Sequence, residues 1–148
     1  MRMISKHISY KESTQSQTAT RLGIDNTPTE EELFAMENVA NMCFEQVREW
    51  YGKSISITSF FRCAELNKAI GGSKTSDHVN GYAIDMDTEK DNRLIFEWCM
   101  KNLEYDQLIW EFGGKWVHIS YRLDSTQNRN MVLDASVVNG KTVYTQIK

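Results

Sequence analysis

Three histidines are the chain's side chains best suited to holding a transition metal, and one of them stands in an informative pattern. In Ser76-Asp77-His78-Val79-Asn80-Gly81-Tyr82-Ala83-Ile84-Asp85, a histidine and a carboxylate lie seven residues apart around a glycine. Neutral imidazole nitrogen and carboxylate oxygen are both good zinc ligands, and a catalytic zinc takes three protein ligands while keeping one position for water or substrate. A third ligand must come from elsewhere in the chain. The other histidines are His7 and His118, and His118 lies in the strand-like run Trp116-Val117-His118-Ile119-Ser120-Tyr121. The candidate set is therefore His78, Asp85 and His118, with His7 read as a residue of a surface arm.

The elements that must position these groups can be read from periodicity. Residues 1–28 are polar, rich in Ser, Thr and Gln, and end on the turn sequence Asp25-Asn26-Thr27-Pro28, which predicts an N-terminal loop arm packed on the domain. Thr29 is a good N-cap, and Glu30, Glu31 and Glu32 suit the positive end of a helix dipole. Leu33, Met36, Ala40, Cys43, Phe44, Val47 and Trp50 then recur at helical spacing until Gly52. Residues 54–60 alternate with period two and predict a strand that delivers Arg62 at its end. A short helix over 64–70 stops at Gly71-Gly72, and the loop 73–80 carries Ser76 and His78. A strand over 82–87 puts Ala83, Asp85 and Asp87 on one face and Ile84 and Met86 on the other.

Residues 92–103 predict a second amphipathic helix, with Leu94, Ile95, Trp98, Cys99 and Leu103 on its apolar side. Segments 107–112 and 115–121 flank Gly113-Gly114 and predict a hairpin. Two short strands, 131–138 and 142–147, follow around Asn139-Gly140. The expectation is one α+β domain over 1–148 with a central, mostly antiparallel sheet packed by helices.

Composition narrows the function classes. The 148 residues suffice for a core without disulfides, and a hydrophobic content of 41% with 25% charged residues is ordinary for a globular chain. A net charge of -3 gives no basic field for a phosphate backbone, so nucleic acid is not an expected partner. Cys43, Cys63 and Cys99 lack CxxC spacing and read as buried or half-buried thiols. Neither a signal-like apolar run at the N-terminus nor 18 consecutive apolar residues occur, so synthesis in the cytoplasm and no stable membrane association are expected. Nothing in the sequence hints at an oligomeric state.

Taken together, Ile57-Thr58-Ser59-Phe60-Phe61-Arg62, Leu66-Asn67, Gly71-Gly72, Ser76-x-His78-x-x-Gly81-x-Ala83-x-Asp85 and Trp116-Val117-His118 resemble the zinc D-alanyl-D-alanine carboxypeptidase family. This family shares its fold with hedgehog signalling domains and includes phage L-alanyl-D-glutamate endopeptidases and vancomycin-resistance dipeptidases. The resemblance covers nearly the whole chain, and the N-terminal arm looks like that of the small phage-type branch. It implies Zn2+ held by His78, Asp85 and His118. It also implies Arg62 as the group that stabilises the oxyanion of the tetrahedral intermediate, which suits a guanidinium that stays charged and has forked donors. Ser76 is implied to help position the substrate, a peptidoglycan stem peptide. The implied role is cell-wall degradation by a phage or prophage endolysin, or by a wall-opening enzyme carried in the virion, acting at the wall after release.

The sequence departs from the family at one position. Several relatives carry an acidic residue three positions before the last histidine ligand, where this chain has Lys115. A protonated lysine cannot take a proton from water, so the general base must be another group. Hairpin parity offers Glu111. If Gly113-Gly114 alone turn the chain, Glu111 faces Trp116 and Ile109 faces His118, which places Glu111 and His118 on one face as diagonal neighbours, roughly 7–8 Å apart or less. A four-residue loop would set the two directly opposite, and a three-residue loop would put them on opposite faces. Trp116 shares that face and is a candidate wall of the substrate cleft, and Asp87 is a candidate to orient a ligand. Lys115 keeps a rival open: a non-catalytic zinc module for wall binding or virion structure, its site closed by a fourth protein ligand such as His7 or Asp87.

Overall fold

The computed structural model describes residues 2–148. Its centre is a six-stranded sheet formed by β3 (Ser56–Ser59), β4 (Ala83–Asp87), β5 (Gln107–Glu111), β6 (Trp116–Ser120), β7 (Met131–Val138) and β8 (Lys141–Gln146), in the order β3-β4-β6-β5-β7-β8. Every pairing is antiparallel except that of β5 with β7, so the expected α+β architecture with a mostly antiparallel sheet holds. The helices α3 (Glu30–Val39), α4 (Glu45–Tyr51) and α6 (Asn92–Asn102) pack against one face, while α5 (Ala64–Ala69) follows the β3 edge.

Strand alternation divides the sheet into two faces. Ile84, Met86, Leu108, Val117, Ile119 and Val132 point to the helices and join Met36, Val39, Phe44, Ile95 and Phe96 in one buried cluster. The intervening residues point the other way. There the side-by-side pairs Asp85 with His118, His118 with Ile109 and Ile109 with Leu133 run across four strands as one row. A second row joins Trp116, Glu111, Ala135 and Tyr144. On this face Ile109, Leu133 and Ala135 form a separate small apolar cluster, and the polar residues stand around it.

The long helix begins as read from the sequence. The Thr29 hydroxyl accepts from the Glu32 amide at 3.2 Å, and the Glu32 carboxylate accepts from the Thr29 amide at 2.8 Å, a reciprocal cap of about 1 kcal/mol. Between α3 and α4 the helix widens into a π turn over Ala40–Phe44, where the Glu45 amide donates to Ala40, five residues back. Two apolar assignments are corrected. Trp50 is exposed and stacks on Trp98 with ring centroids 5.0 Å apart. In α6 the buried side is Ile95, Phe96 and Cys99, which turns Leu94 out to solvent at 53% exposure.

The N-terminal arm is structured rather than a loop. It holds a small ribbon, β1 (Met3–Ser5) with β2 (Ile8–Ser9), then α1 (Tyr10–Thr14) and α2 (Gln17–Leu22). Ser9 and Glu12 make a capping box for α1, and Ser16 caps α2. Ile4 and Ile8 enter the main core. The arm is tied at two places. Glu45 accepts from the Ser5 hydroxyl at 2.6 Å and from the His7 amide at 2.8 Å, with His7 Nδ1 also 2.6 Å from its carboxylate. Asn26 donates to the Thr14 and Phe61 carbonyls at 2.8 and 3.0 Å and accepts from the Cys63 amide at 2.7 Å.

Candidate metal centre

Three elements bring the site together. Asp85 is on β4 and His118 on β6, and their direct pairing across the strands sets the Asp85 carboxylate oxygen 3.0 Å from His118 Nδ1. His78 comes from the short 3-10 turn Asp77–Asn80, which places its Nε2 3.2 Å from the other Asp85 oxygen. The imidazole rings stand edge to face with centroids 5.2 Å apart. All three residues are buried, and their donor atoms lie within 4.8 Å of one another.

Local chemistry explains why this turn forms. The Ser76 hydroxyl caps it by accepting from the His78 amide at 3.3 Å, and Gly81 ends it with a φ of 78°. A side chain at Gly81 would also collide with α3, its Cβ falling 2.7 Å from the Glu32 carbonyl oxygen and 2.9 Å from Met36 Cγ. The motif glycine is thus needed twice, for its left-handed backbone and for its missing side chain. His78 Nδ1 lies 2.7 Å from the Phe60 carbonyl oxygen. That contact requires Nδ1 to carry the proton and leaves the Nε2 lone pair facing Asp85, the orienting contact that metal-bound histidines commonly make.

The donor set fits zinc: two imidazole nitrogens and one carboxylate oxygen converge from one side, a common set of three for a metal that keeps a further position open. Burial pushes the Asp85 carboxyl up, but the two imidazoles beside it, His78 and His118, outweigh it and hold it well below the usual carboxylate range. Asp85 therefore stays ionised, as a ligand must. The two candidates for a closing fourth ligand lie elsewhere. His7 is engaged with Glu45, and the Asp87 carboxylate accepts from the Asn92 side chain at 2.8 Å and the Glu89 amide at 3.0 Å. Among the described residues the cluster is His78, Asp85 and His118 alone.

These residues line a cleft of about 690 Å³ with Arg62, Ser76, Glu111, Trp116 and Tyr144. The hairpin has the register derived from a Gly113-Gly114 turn, with Glu111 opposite Trp116 and Ile109 opposite His118, though the strands stop at Glu111 and Trp116 and leave four residues in the loop. Gly114, with a φ of 88°, packs where any side chain would strike the Trp110 ring. Lys115 lies in this loop, apart from the residues lining the cleft. Burial drives the Glu111 carboxyl up to about 7, opposed by His118 and Arg62 and assisted by the Asp85 carboxylate.

Arg62 reaches the cleft from the corner after β3. Its amide donates to the His78 carbonyl at 3.2 Å, and its Nη2 donates to the Ser76 hydroxyl at 3.2 Å. Ser76, expected at the substrate, is thus engaged as a brace between His78 and Arg62. Arg62 Nε and Trp116 Nε1 are buried donors without a partner among the described residues. Sequence reasoning missed Asn26, which clamps the corner carrying Arg62, and the Phe60 carbonyl, which orients His78. The Asn26 signal was visible only as a turn-forming residue before Pro28.

No curated protein matches the chain. The model of the family described as peptidase M15 matches residues 6–120, a span that contains the His78, Asp85 and His118 cluster, the Arg62 corner and Glu111. With most of its length matched, and with the motif that carried the resemblance now folded into one buried donor cluster, the chain belongs to the peptidase M15 family.

Proposed function

We propose that the protein is a zinc peptidase that hydrolyses a peptide bond in the stem or cross-link of bacterial peptidoglycan. One observation carries this reading: a buried three-donor cluster, with no fourth protein ligand among the described residues, opens into a cleft that also holds the buried Glu111 carboxyl and the Arg62 guanidinium. Bound by His78, Asp85 and His118, zinc supplies Lewis acidity, polarising a carbonyl and making water nucleophilic near pH 7.

The chain's own groups do the rest. Glu111 takes a proton from the attacking water onto its carboxylate and returns it to the leaving amine. Burial pushes that carboxyl up from the ordinary glutamate range, which suits it to both halves of that exchange. Arg62 donates to the oxygen on which negative charge develops, and Ser76 fixes the guanidinium for that task. Trp116 walls the cleft and limits water access beside the reacting bond.

The finer reading is a wall-lytic enzyme of a phage or prophage, cutting a D-alanyl-D-alanine or an L-alanyl-D-glutamate bond. It is supported by the family match and the sequence likeness of the arm to small phage-type members. Mass spectrometry of muropeptides incubated with zinc-loaded protein tests both levels. A new product, absent after chelation and absent with Glu111→Gln, is expected, and its mass identifies the bond. No product across several wall chemotypes, from protein with a full zinc complement, would turn the reading to a zinc-dependent wall-binding or virion structural module.

A further inference from the structure

The match to the family model ends at residue 120, but the cleft does not end there. Its far wall is the β7–β8 hairpin, which contributes Leu133, Thr142 and Tyr144. Asn139 and Gly140 make a tight two-residue turn, with φ values of 52° and 77°, and the ladder runs unbroken from Val138 with Lys141 to Leu133 with Gln146. This register decides which residues of the edge strand face the metal cluster. Tyr144 pairs with Ala135, and Ala135 with Glu111, so the three side chains share one face and one row.

Tyr144 and Glu111 are two strands apart, on the order of 10 Å between backbones at ordinary strand spacing. The side chain between them is only the methyl of Ala135. The tyrosine is 53% exposed although it lines the cleft, so most of its ring is open to whatever enters. Arg62 sits at the β3 end of the sheet and Tyr144 on β8 at the opposite edge, and both line the same cavity. A peptide lying across the His78, Asp85 and His118 cluster would therefore pass between a guanidinium on one side and a phenol on the other.

We propose that Tyr144 is a substrate-contacting residue, its hydroxyl donating to a carbonyl or carboxylate oxygen of the bound peptide from the wall across the sheet from Arg62. The role rests on the peptidase reading given above. It makes the terminal hairpin a specificity element, added to the site from outside the segment that matches the family. A neutral phenol is a donor throughout the pH range of wall hydrolysis. Burial, Glu111 and Asp85 all act to keep that proton in place, against Arg62.

The test uses the zinc-loaded chain with purified muropeptides as the probe. Tyr144→Phe removes the hydroxyl and keeps the ring, Tyr144→Ala removes both, and Thr145→Ala alters the opposite face of the same strand. A KM raised about tenfold by Tyr144→Phe, further by Tyr144→Ala and not by Thr145→Ala, with kcat within about twofold of wild type, is the expected result for one lost hydrogen bond to substrate. Calorimetric binding of the same muropeptide to Glu111→Gln protein, with and without Tyr144→Phe, should show the same loss without turnover. Wild-type KM in both tyrosine variants would overturn the role, and a change in Tyr144→Ala alone would replace the hydrogen bond by ring packing and overturn it as stated. If the wild-type chain neither binds nor cleaves muropeptides, the peptidase reading fails first and this one with it.

Discussion

The two faces of the central sheet divide the work. Along β4, Ile84 and Met86 are buried against helices, whereas Asp85 between them faces the cleft. The same alternation in β6 sends Val117 and Ile119 to the core and Trp116 and His118 to the cleft. One face holds the protein together by apolar burial. The other holds Asp85, Glu111 and His118, with Arg62 beside them, in a space where burial disfavours the charge of Arg62, Asp85 and Glu111. The comparison teaches that an alternating strand lets chemistry and stability be set almost independently, one residue apart, because neighbouring side chains share no environment.

The largest expected effect comes from the cleft face. Glu111→Gln should lower kcat on wall peptides by about 10²–10⁴, the usual worth of a general base, while zinc content measured by atomic absorption stays at that of wild type. His78→Ala should instead lower zinc content itself. Loss of zinc in the glutamine variant would make Glu111 a ligand-supporting residue and not a base.

The helix face should respond in the opposite sense. Phe96 of α6 is fully buried against the sheet, its ring centroid 5.2 Å from that of Trp110 on β5. Phe96→Ala should cost about 3–5 kcal/mol of stability and lower the melting temperature by roughly 10 °C or more. Turnover per folded molecule, assayed well below that temperature, should hold within a few fold. An equal loss of kcat would show that the faces are coupled through the strands.

Glu111 gives the comparison a pH dependence. Its folded pKa of about 7 lies above that of an unfolded glutamate, so the folded, metal-free chain binds the proton more tightly. Stability then falls as pH rises from about 4.3 to about 7, by at most about 4 kcal/mol, and stays at the lower value above that range. Urea melts of chelated wild type and Glu111→Gln should therefore agree better at pH 5 than at pH 8, where the variant is the more stable. Other groups titrate in both proteins, so the difference between the two reports Glu111. Parallel curves for both proteins at every pH would show that the carboxyl is not strained in the folded state.

What could be read from the chain follows the same division. The strand alternation and the hairpin parity are local patterns of fixed period, and with a Gly113-Gly114 turn they put Glu111 and His118 on one face, while the grouping of Asp85 with His118 rests on the motif and its resemblance. Long-range partners leave no such trace. Nothing nearby in sequence shows that the Ser76 hydroxyl, which also lines the cleft, accepts from Arg62, fourteen residues earlier. The polar arm was read as loop although Ser9 with Glu12 is a capping-box spacing, because α1 and α2 are too short to show an apolar period. Leu94 and Trp50 were misplaced because an amphipathic helix has boundaries to its apolar stripe that only the neighbouring element fixes.

The smallest effect should come from Asn26, which belongs to neither face. Its side chain joins Thr14 of the arm to the Phe61 carbonyl and Cys63 amide, on either side of Arg62. Asn26→Ala removes these three hydrogen bonds, and should cost about 1–3 kcal/mol, the worth of leaving such groups unmatched. The same change loosens the corner that aims Arg62, so kcat should fall several-fold at temperatures where the variant is fully folded, with zinc content unchanged. A drop in stability without any change in kcat would mean that the Ser76 hydroxyl and the Arg62 amide bond to His78 suffice to hold the guanidinium. The arm would then stabilise the fold and leave the chemistry to the sheet.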